Sequence, residues 1–207
     1  MNTQPLHTFT HQDYLEWEAL KEYKSEYYAG EVFAQAGASS KHVTLTLNIG
    51  TMIHSHLKGK PCRAYIADMK LHISEVDAFF YPDIMVTCDK RDRDTDMYKK
   101  YPSIIAEVLS ESTAEYDRTF KFACYQKIDT LRDYLLINQD VYSVEHYHLN
   151  DRGEWVRVVY TLNDIFHLDC IDLKVVVSDI YADVDGVVTM EEKFRKSGIQ
   201  VDNVSLG

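Results

Sequence analysis

Apolar residues along this chain recur first at helical spacing, then in short runs of strand length, and each change of period marks an element. Residues 11–22 carry Tyr14, Leu15, Trp17 and Leu20 behind Thr10, a candidate N-cap, and predict a short amphipathic helix. Residues 25–35 are rich in Tyr and Val around Ala29-Gly30-Glu31, the pattern of a hairpin that turns at the glycine. From Ser39 or Ser40 onward, Val43, Leu45, Leu47, Ile49, Met52, Ile53 and Leu57 extend too far for a strand and predict a buried helix, stopped by Gly59-Lys60-Pro61. Strand-length apolar runs follow at 62–66, 69–73, 83–88 and 103–109, separated by polar or charged loops. A helix is predicted over 113–128, then strands over 133–138, 142–149 and 155–162, with Asp151-Arg152-Gly153 turning between the last two. Residues 171–181 read as a final strand, or as a strand and a short helix, and no element is assigned from Asp183 onward.

These elements predict an α/β fold with a mixed central sheet flanked by helices. The strands at 83–88 and 103–109 are expected to be neighbours, with the following helix over their ends. One domain over 1–207 is expected: an N-terminal helix and hairpin over 1–37, a core over 38–181 and an unassigned segment over 182–207. An apolar content of 45% is enough to bury one substantial core in a chain of 207 residues. The four cysteines, Cys62, Cys88, Cys124 and Cys170, are widely spaced, with no CxxC pair and no histidine at zinc-ligand spacing, and read as reduced, mostly buried thiols. The first ten residues lack a basic start and an apolar run, and no apolar stretch approaches the ~20 residues a bilayer requires. A cytoplasmic protein without a membrane partner is expected.

Charge changes the picture. Against 33 acidic residues stand 22 Lys and Arg, a formal charge of −11, which repels polyphosphates at long range. A phosphate-binding protein can still work if its cations cluster locally. Lys90, Arg91, Arg93, Lys99 and Lys100 form such a cluster, but Asp92, Asp94 and Asp96 interrupt it, which favours a solvated loop over a binding stripe.

Candidate chemistry lies where acids interrupt apolar strands: Asp83 in Tyr81-Pro82-Asp83-Ile84-Met85-Val86, and Glu107 in Ile104-Ile105-Ala106-Glu107-Val108-Leu109. An ionised carboxylate in such a strand costs several kcal/mol unless a cation or strong hydrogen bonds compensate it. A shared Mg²⁺, with Mn²⁺ as a substitute, satisfies both acids, and the carbonyl of Val108 offers a third hard oxygen. Asp117, Lys121 and Tyr125 recur every four residues, so a helix leaving the Glu107 strand could bring Lys121 to the metal, to orient water and stabilise developing charge. Arg118 offers a planar fork for a neighbouring phosphate.

Plainer readings compete. Asp83 also suits a turn, Glu107 a buried salt bridge with Lys121 itself, and Lys121 a surface pair with Asp117 at i, i+4. His54 and His56 form an HxH metal pair only on a strand, and they fall within a predicted helix. Tyr14, Tyr23, Tyr27 and Tyr28 could stack on bases, although aromatic residues at such positions more often pack a core.

The ordered set Gly30-Glu31, His42, Pro82-Asp83, Glu107-Val108-Leu109-Ser110, Ser112-Thr113, Asp117-Arg118, Lys121 and Tyr125 resembles the large bacterial Uma family of restriction-endonuclease relatives, within the PD-(D/E)XK superfamily. The similarity runs from about Tyr27 to Leu149. In the wider superfamily the lysine follows the glutamate by two residues, where this chain has Leu109; the family resemblance implies that Lys121, on the next helix, replaces it. Ala106 and Glu111 stand where the family has Val and Pro, and Asp133-Tyr134-Leu135-Leu136-Ile137-Asn138 where it has Glu-Tyr-Trp-Leu-Val-Asp. The resemblance implies a restriction-endonuclease-like fold and Mg²⁺-dependent hydrolysis of DNA, with Asp83, Glu107 and Lys121 as catalytic core. It further implies that Glu31 assists, unless it is merely polar after the turn, and that His42 and Tyr125 join Arg118 at the substrate, unless His42 is structural. A homodimer would pair two sites on two strands. A non-cleaving binding or regulatory module, or a metal-dependent hydrolase of another phosphoester, would use the same groups.

Overall fold

The computed structural model describes residues 9–35 and 37–196. The chain opens with helix α1 (His11–Glu18), whose start is fixed by a capping box: Thr10 accepts from the Asp13 N–H while Asp13 reaches back to the Thr10 N–H. Strands β1 (Ser25–Tyr28) and β2 (Glu31–Ala34) form the hairpin. Its two-residue turn places Ala29 at φ 46° and Gly30 at φ 95°, the doubly positive geometry that matches strand twist. Helix α2 (Ser40–His56) follows, capped by Ser39. Next come β3 (Arg63–Ile66), β4 (Lys70–Ile73), β5 (Ala78–Phe80), β6 (Ile84–Thr87), β7 (Tyr98–Lys99) and β8 (Pro102–Leu109).

A single helical run then comprises α3 (Ala114–Tyr116), a π-helical stretch (Asp117–Lys121) and α4 (Phe122–Tyr125); we refer to it as the site helix. Beyond it lie β9 (Asp133–Asn138), β10 (Ser143–Leu149), β11 (Trp155–Thr161), β12 (Ile165–Leu168), β13 (Leu173–Val176), α5 (Val177–Ile180) and α6 (Met190–Lys196).

The architecture is mixed α/β, as expected. Six strands form the main sheet in the order β11-β10-β9-β8-β6-β3, where β8 and β9 run parallel and the other neighbours antiparallel. A second sheet has the order β2-β1-β5-β4-β7, and β12 pairs with β13. Strand β8 is interior and covered on both faces, which explains its nearly unbroken apolar sequence. Ile104, Ala106 and Val108 face a core shared with Leu45, Ile49 and Ile53 of α2 and with Phe166, Val175 and Ile180. Ile105 and Leu109 face a core built from Tyr125 and Cys124 of the site helix and Leu71, Ile73 and Phe80 of the second sheet. Glu107 has the parity of this second face, so the register sets a carboxylate among apolar neighbours.

Cysteine usage departs from expectation. Cys62 and Cys88 form a disulfide, because the antiparallel pairing of Arg63 with Thr87 puts them opposite one another, with Cα atoms 4.0 Å apart. Cys124 is a buried free thiol, whereas Cys170 is free and exposed. In the basic segment at 90–100, Lys90, Arg91 and Arg93 are exposed, as a solvated loop requires, but Asp92 and Lys99 turn inward. Asp92 is buried and accepts from Thr87 Oγ1 and the Lys100 and Tyr101 N–H groups, and buried Lys99 donates to the Asp92 and Thr95 carbonyls. Arg91 pairs with Asp89 over the Tyr101 ring. Tyr14 and Tyr27 are buried and stack on each other against Phe79, a core role, while Tyr23 is exposed. Among the described residues no helix is long and apolar enough to cross a membrane.

Candidate active site

Pairing of Ile84 with Ala106 sets Asp83, one residue before β6, opposite Glu107. Two hydrogen bonds lock the two acids into one unit: the Asp83 N–H donates to Glu107 Oε2 at 3.1 Å, and the Val108 N–H donates to Asp83 Oδ2 at 2.7 Å. In a paired strand a residue's N–H and carbonyl leave the same edge, so the Val108 carbonyl faces the Asp83 side as well. His42, held in the first turn of α2, puts Nε2 2.9 Å from Asp83 Oδ1. The Asp83 and His42 side chains, 21% and 19% exposed, form the mouth of the site.

Behind them the site helix delivers Lys121. Its ammonium lies 3.0 Å from Glu26, 3.2 Å from Glu107 and 3.6 Å from Asp117, all four side chains being buried. Thus the pairing of Lys121 with Asp117 and the bridge to Glu107 coexist in one cluster. Tyr125 donates to Glu107 Oε1 at 2.8 Å, and Tyr134 donates to the Asp117 carbonyl. Tyr125, expected at the substrate, is fully buried, and its hydroxyl is committed to Glu107. The π-helical stretch from Asp117 to Lys121 coincides with the two charged residues turned inward, a feature frequent at functional sites.

Three carboxylates, Glu26, Glu107 and Asp117, thus surround one lysine, and Asp83 joins them through its N–H to Glu107. Burial raises the Glu107 carboxyl well above the usual range; Lys121 opposes this and Asp83, Asp117 and Glu26 add to it. Burial raises Asp117 as well, against the pull of Lys121. For Lys121, burial favours the neutral amine, but Glu107, Glu26 and Asp117 outweigh it and hold the ammonium firmly charged. Carboxyl groups thus outnumber ammonium groups in a dry setting, which favours protonating some of them or binding a cation. Among the described residues no three His, Cys, Asp or Glu side chains converge as a ready ion cage. Asp83 and Glu107 are the oxygen donors that could hold a hard divalent cation, one that keeps several of its waters.

Glu31 does not join the cluster. It is exposed on β2, opposite Tyr28, and makes no ion pair or hydrogen bond with the cluster among the described residues. The hairpin's contribution is Glu26 on β1, whose Oε1 also accepts from the Tyr81 N–H. The sequence signal for Glu26 was the same as for Asp83 and Glu107, an acid in the otherwise apolar and aromatic run Glu26-Tyr27-Tyr28. Arg118 stands on the site helix with its guanidinium 2.7 Å from buried Glu145 of β10.

The model of the family Uma2, described as "Putative restriction endonuclease", matches residues 11–178. Two proteins of Synechocystis sp. (strain ATCC 27184 / PCC 6803 / Kazusa) are similar over most of their length. The uncharacterized protein slr1290 is 36% identical over 177 residues, 86% of this chain and 93% of the relative. The uncharacterized protein sll1609 is 38% identical over 149 residues, 71% of this chain and 84% of the relative. A crystal structure described as "a putative nuclease belonging to DUF820", from Anabaena variabilis ATCC 29413, has a TM-score of 0.68 at 19% identity, covering 84% of this chain and 98% of that one; at that identity the likeness is one of fold.

Proposed function

This chain belongs to the Uma2 family, and from that premise and the geometry of its buried acids we propose that it is a divalent-metal-dependent endonuclease of the PD-(D/E)XK type, hydrolysing phosphodiester bonds in DNA. The observation that carries this reading is the locked pair Asp83 and Glu107 with the Lys121 ammonium 3.2 Å from the glutamate. Asp83 and Glu107 would hold Mg²⁺ or Mn²⁺, together with the Val108 carbonyl. A bound ion of this kind supplies Lewis-acid stabilisation of the phosphate and a water of lowered pKa.

The remaining work falls to the chain's own groups. Lys121 orients the attacking water and offsets negative charge as it develops on the phosphate. Tyr125 and the Asp83 N–H hold Glu107 in one rotamer, and His42 steadies the outer oxygen of Asp83. Glu26 shares Lys121 with Glu107, the supporting part the resemblance had assigned to Glu31. Cutting both strands of a duplex takes two such sites, so we expect a homodimer, checked by sedimentation. We expect a cytoplasmic protein, whose Cys62–Cys88 pair then meets reducing conditions.

Plasmid, linear, single-stranded and RNA substrates incubated with Mg²⁺ or Mn²⁺, and with chelator, test the reading. We expect plasmid cleavage that needs the metal and is lost in Lys121→Ala. An intact protein that binds neither ion would instead be a non-cleaving module, and metal binding with cleavage of none of these nucleic acids would point to another phosphoester.

A further inference from the structure

Strand register extends the catalytic line across the main sheet. Asp83 is opposite Glu107, Glu107 pairs with Leu136, and Leu136 pairs with Glu145, so three carboxylates lie in one row on the face under the site helix. The helix sets a cation over two members of the row, Lys121 over Glu107 and Arg118 over Glu145. The two positions differ in their charge. Around Lys121 carboxylates exceed cations, whereas Glu145 receives two guanidinium groups: Arg118 Nε at 2.7 Å on Oε1, and Arg157 Nε of β11 at 2.8 Å on Oε2. Tyr147 adds a hydroxyl to Oε2 at 3.3 Å.

One guanidinium suffices to neutralise one buried carboxylate; the second leaves a surplus positive charge. Both arginines also reach solvent, the Arg118 and Arg157 side chains being 32% and 51% exposed while Glu145 is 7% exposed. Glu145 thus acts as a buried template that fixes two guanidinium forks, two inter-strand steps, roughly 10 Å, from the Glu107 position. An arginine fork held in place matches the oxygens of a phosphate. A phosphodiester entering the acid-rich mouth is repelled by the carboxylates there, so a second anchor beside the mouth has a clear physical use.

Building on the endonuclease reading, we infer that Arg118 and Arg157, templated by Glu145, form a clamp for a backbone phosphate of the bound nucleic-acid strand, with Arg157 a substrate-positioning residue supplied by β11. The strand then runs along the Asp83–Glu107–Glu145 row toward the edge of the sheet.

Binding of a short duplex to the full chain, with Ca²⁺ replacing Mg²⁺ to hold back cleavage, is measured against salt for wild type, Arg157→Gln and Arg157→Lys. Arg157→Gln is expected to weaken binding roughly tenfold and to lower the slope of log Kd against log salt by about 0.9, one phosphate contact. With Mg²⁺ it raises KM and leaves kcat nearly unchanged. Arg157→Lys keeps the slope but loses part of the affinity, because the fork is gone. A merely structural Arg157 would shift the melting temperature and leave slope and KM alone, and that result overturns the clamp while leaving the nuclease reading intact. A wild-type chain that neither binds nor cuts nucleic acid overturns both.

Discussion

Lys121→Met isolates the electrostatics of the buried cluster. Methionine keeps most of the aliphatic stem and removes the ammonium that lies within 3.0–3.6 Å of Glu26, Glu107 and Asp117. Removing one partner of a buried ion pair costs about 3–5 kcal/mol, because the remaining charge is left uncompensated. Three carboxylates lose their cation here, but they can also take up protons, so the loss must depend on pH. Without the ammonium, the folded carboxylates hold protons to a higher pH than the unfolded ones, so stability falls as pH rises and returns as it drops toward the ordinary carboxylate range. Urea unfolding followed by tryptophan fluorescence should give a loss of about 4 kcal/mol at pH 8. Near pH 5 the loss should shrink to under about 1.5 kcal/mol, what a volume-conserving core change costs. Adding Glu26→Gln to the same chain should recover part of the loss at pH 8, since one of the stranded charges is gone. An equal loss at both pH values, or one below about 1 kcal/mol at pH 8, would refute the claim that charge balance holds this cluster together.

Other outcomes follow from single features. Asp83→Asn or Glu107→Gln should abolish the rise in melting temperature that Mn²⁺ produces in the wild type; an unchanged rise would place the ion elsewhere. Alkylation of the unfolded, unreduced protein should label two thiols, Cys124 and Cys170, and four after reduction, and replacing Cys62 and Cys88 by serine should cost about 3 kcal/mol under oxidising conditions. Four labelled thiols without reductant would remove the disulfide from the fold. His72 is buried against Phe79 with an unpartnered Nδ1, and burial, then Lys100 and His11, lower its pKa from 6.5 to about 4 against the pull of Asp77. Its folded value is depressed, so the stability tied to its neutral form is complete above pH 6.5 and lost as pH falls toward 4, on the order of 3 kcal/mol. Stability of His72→Phe should fall less over that window, and parallel curves for the two proteins would exclude the mechanism.

Much of this arrangement was legible because strands β6 and β8 are interior, where an acid stands out against an apolar run. Asp83 and Glu107 declared themselves in that way, and Lys121 followed from its spacing on the helix. Glu26 was overlooked for a reason of topology: β1 lies inside its sheet, paired with both β2 and β5, while β2 is the edge. A hairpin read in isolation has two equivalent strands, so its buried and exposed acids cannot be told apart until a third strand joins. The disulfide was hidden likewise, since Cys62 and Cys88 meet only through the β3–β6 register across 26 residues. Strands β5 and β7 have three and two residues, too few for a period to emerge. Arg157 lies on β11, an edge strand whose alternation is ordinary, and its meaning depends on a carboxylate twelve residues earlier.

The acidic balance of the chain also looks different once its charges have addresses. A net charge of −11 argues against long-range attraction to a polyanion. In the basic segment at 90–100 Lys99 is committed to carbonyls and Arg91 to Asp89, and Lys121 is committed to three carboxylates. Long-range steering is therefore weak, and on the proposed endonuclease reading affinity comes from contacts made after encounter: a cation between Asp83 and Glu107, and the paired guanidinium groups on Glu145. Association should then be slow at low divalent concentration and accelerate as the acid cluster is neutralised, whereas a protein that steers by surface lysines slows as any salt is added. An association rate that falls on adding Mg²⁺ as steeply as on adding NaCl of equal ionic strength would mean that surface charge, and not the buried cluster, governs the approach.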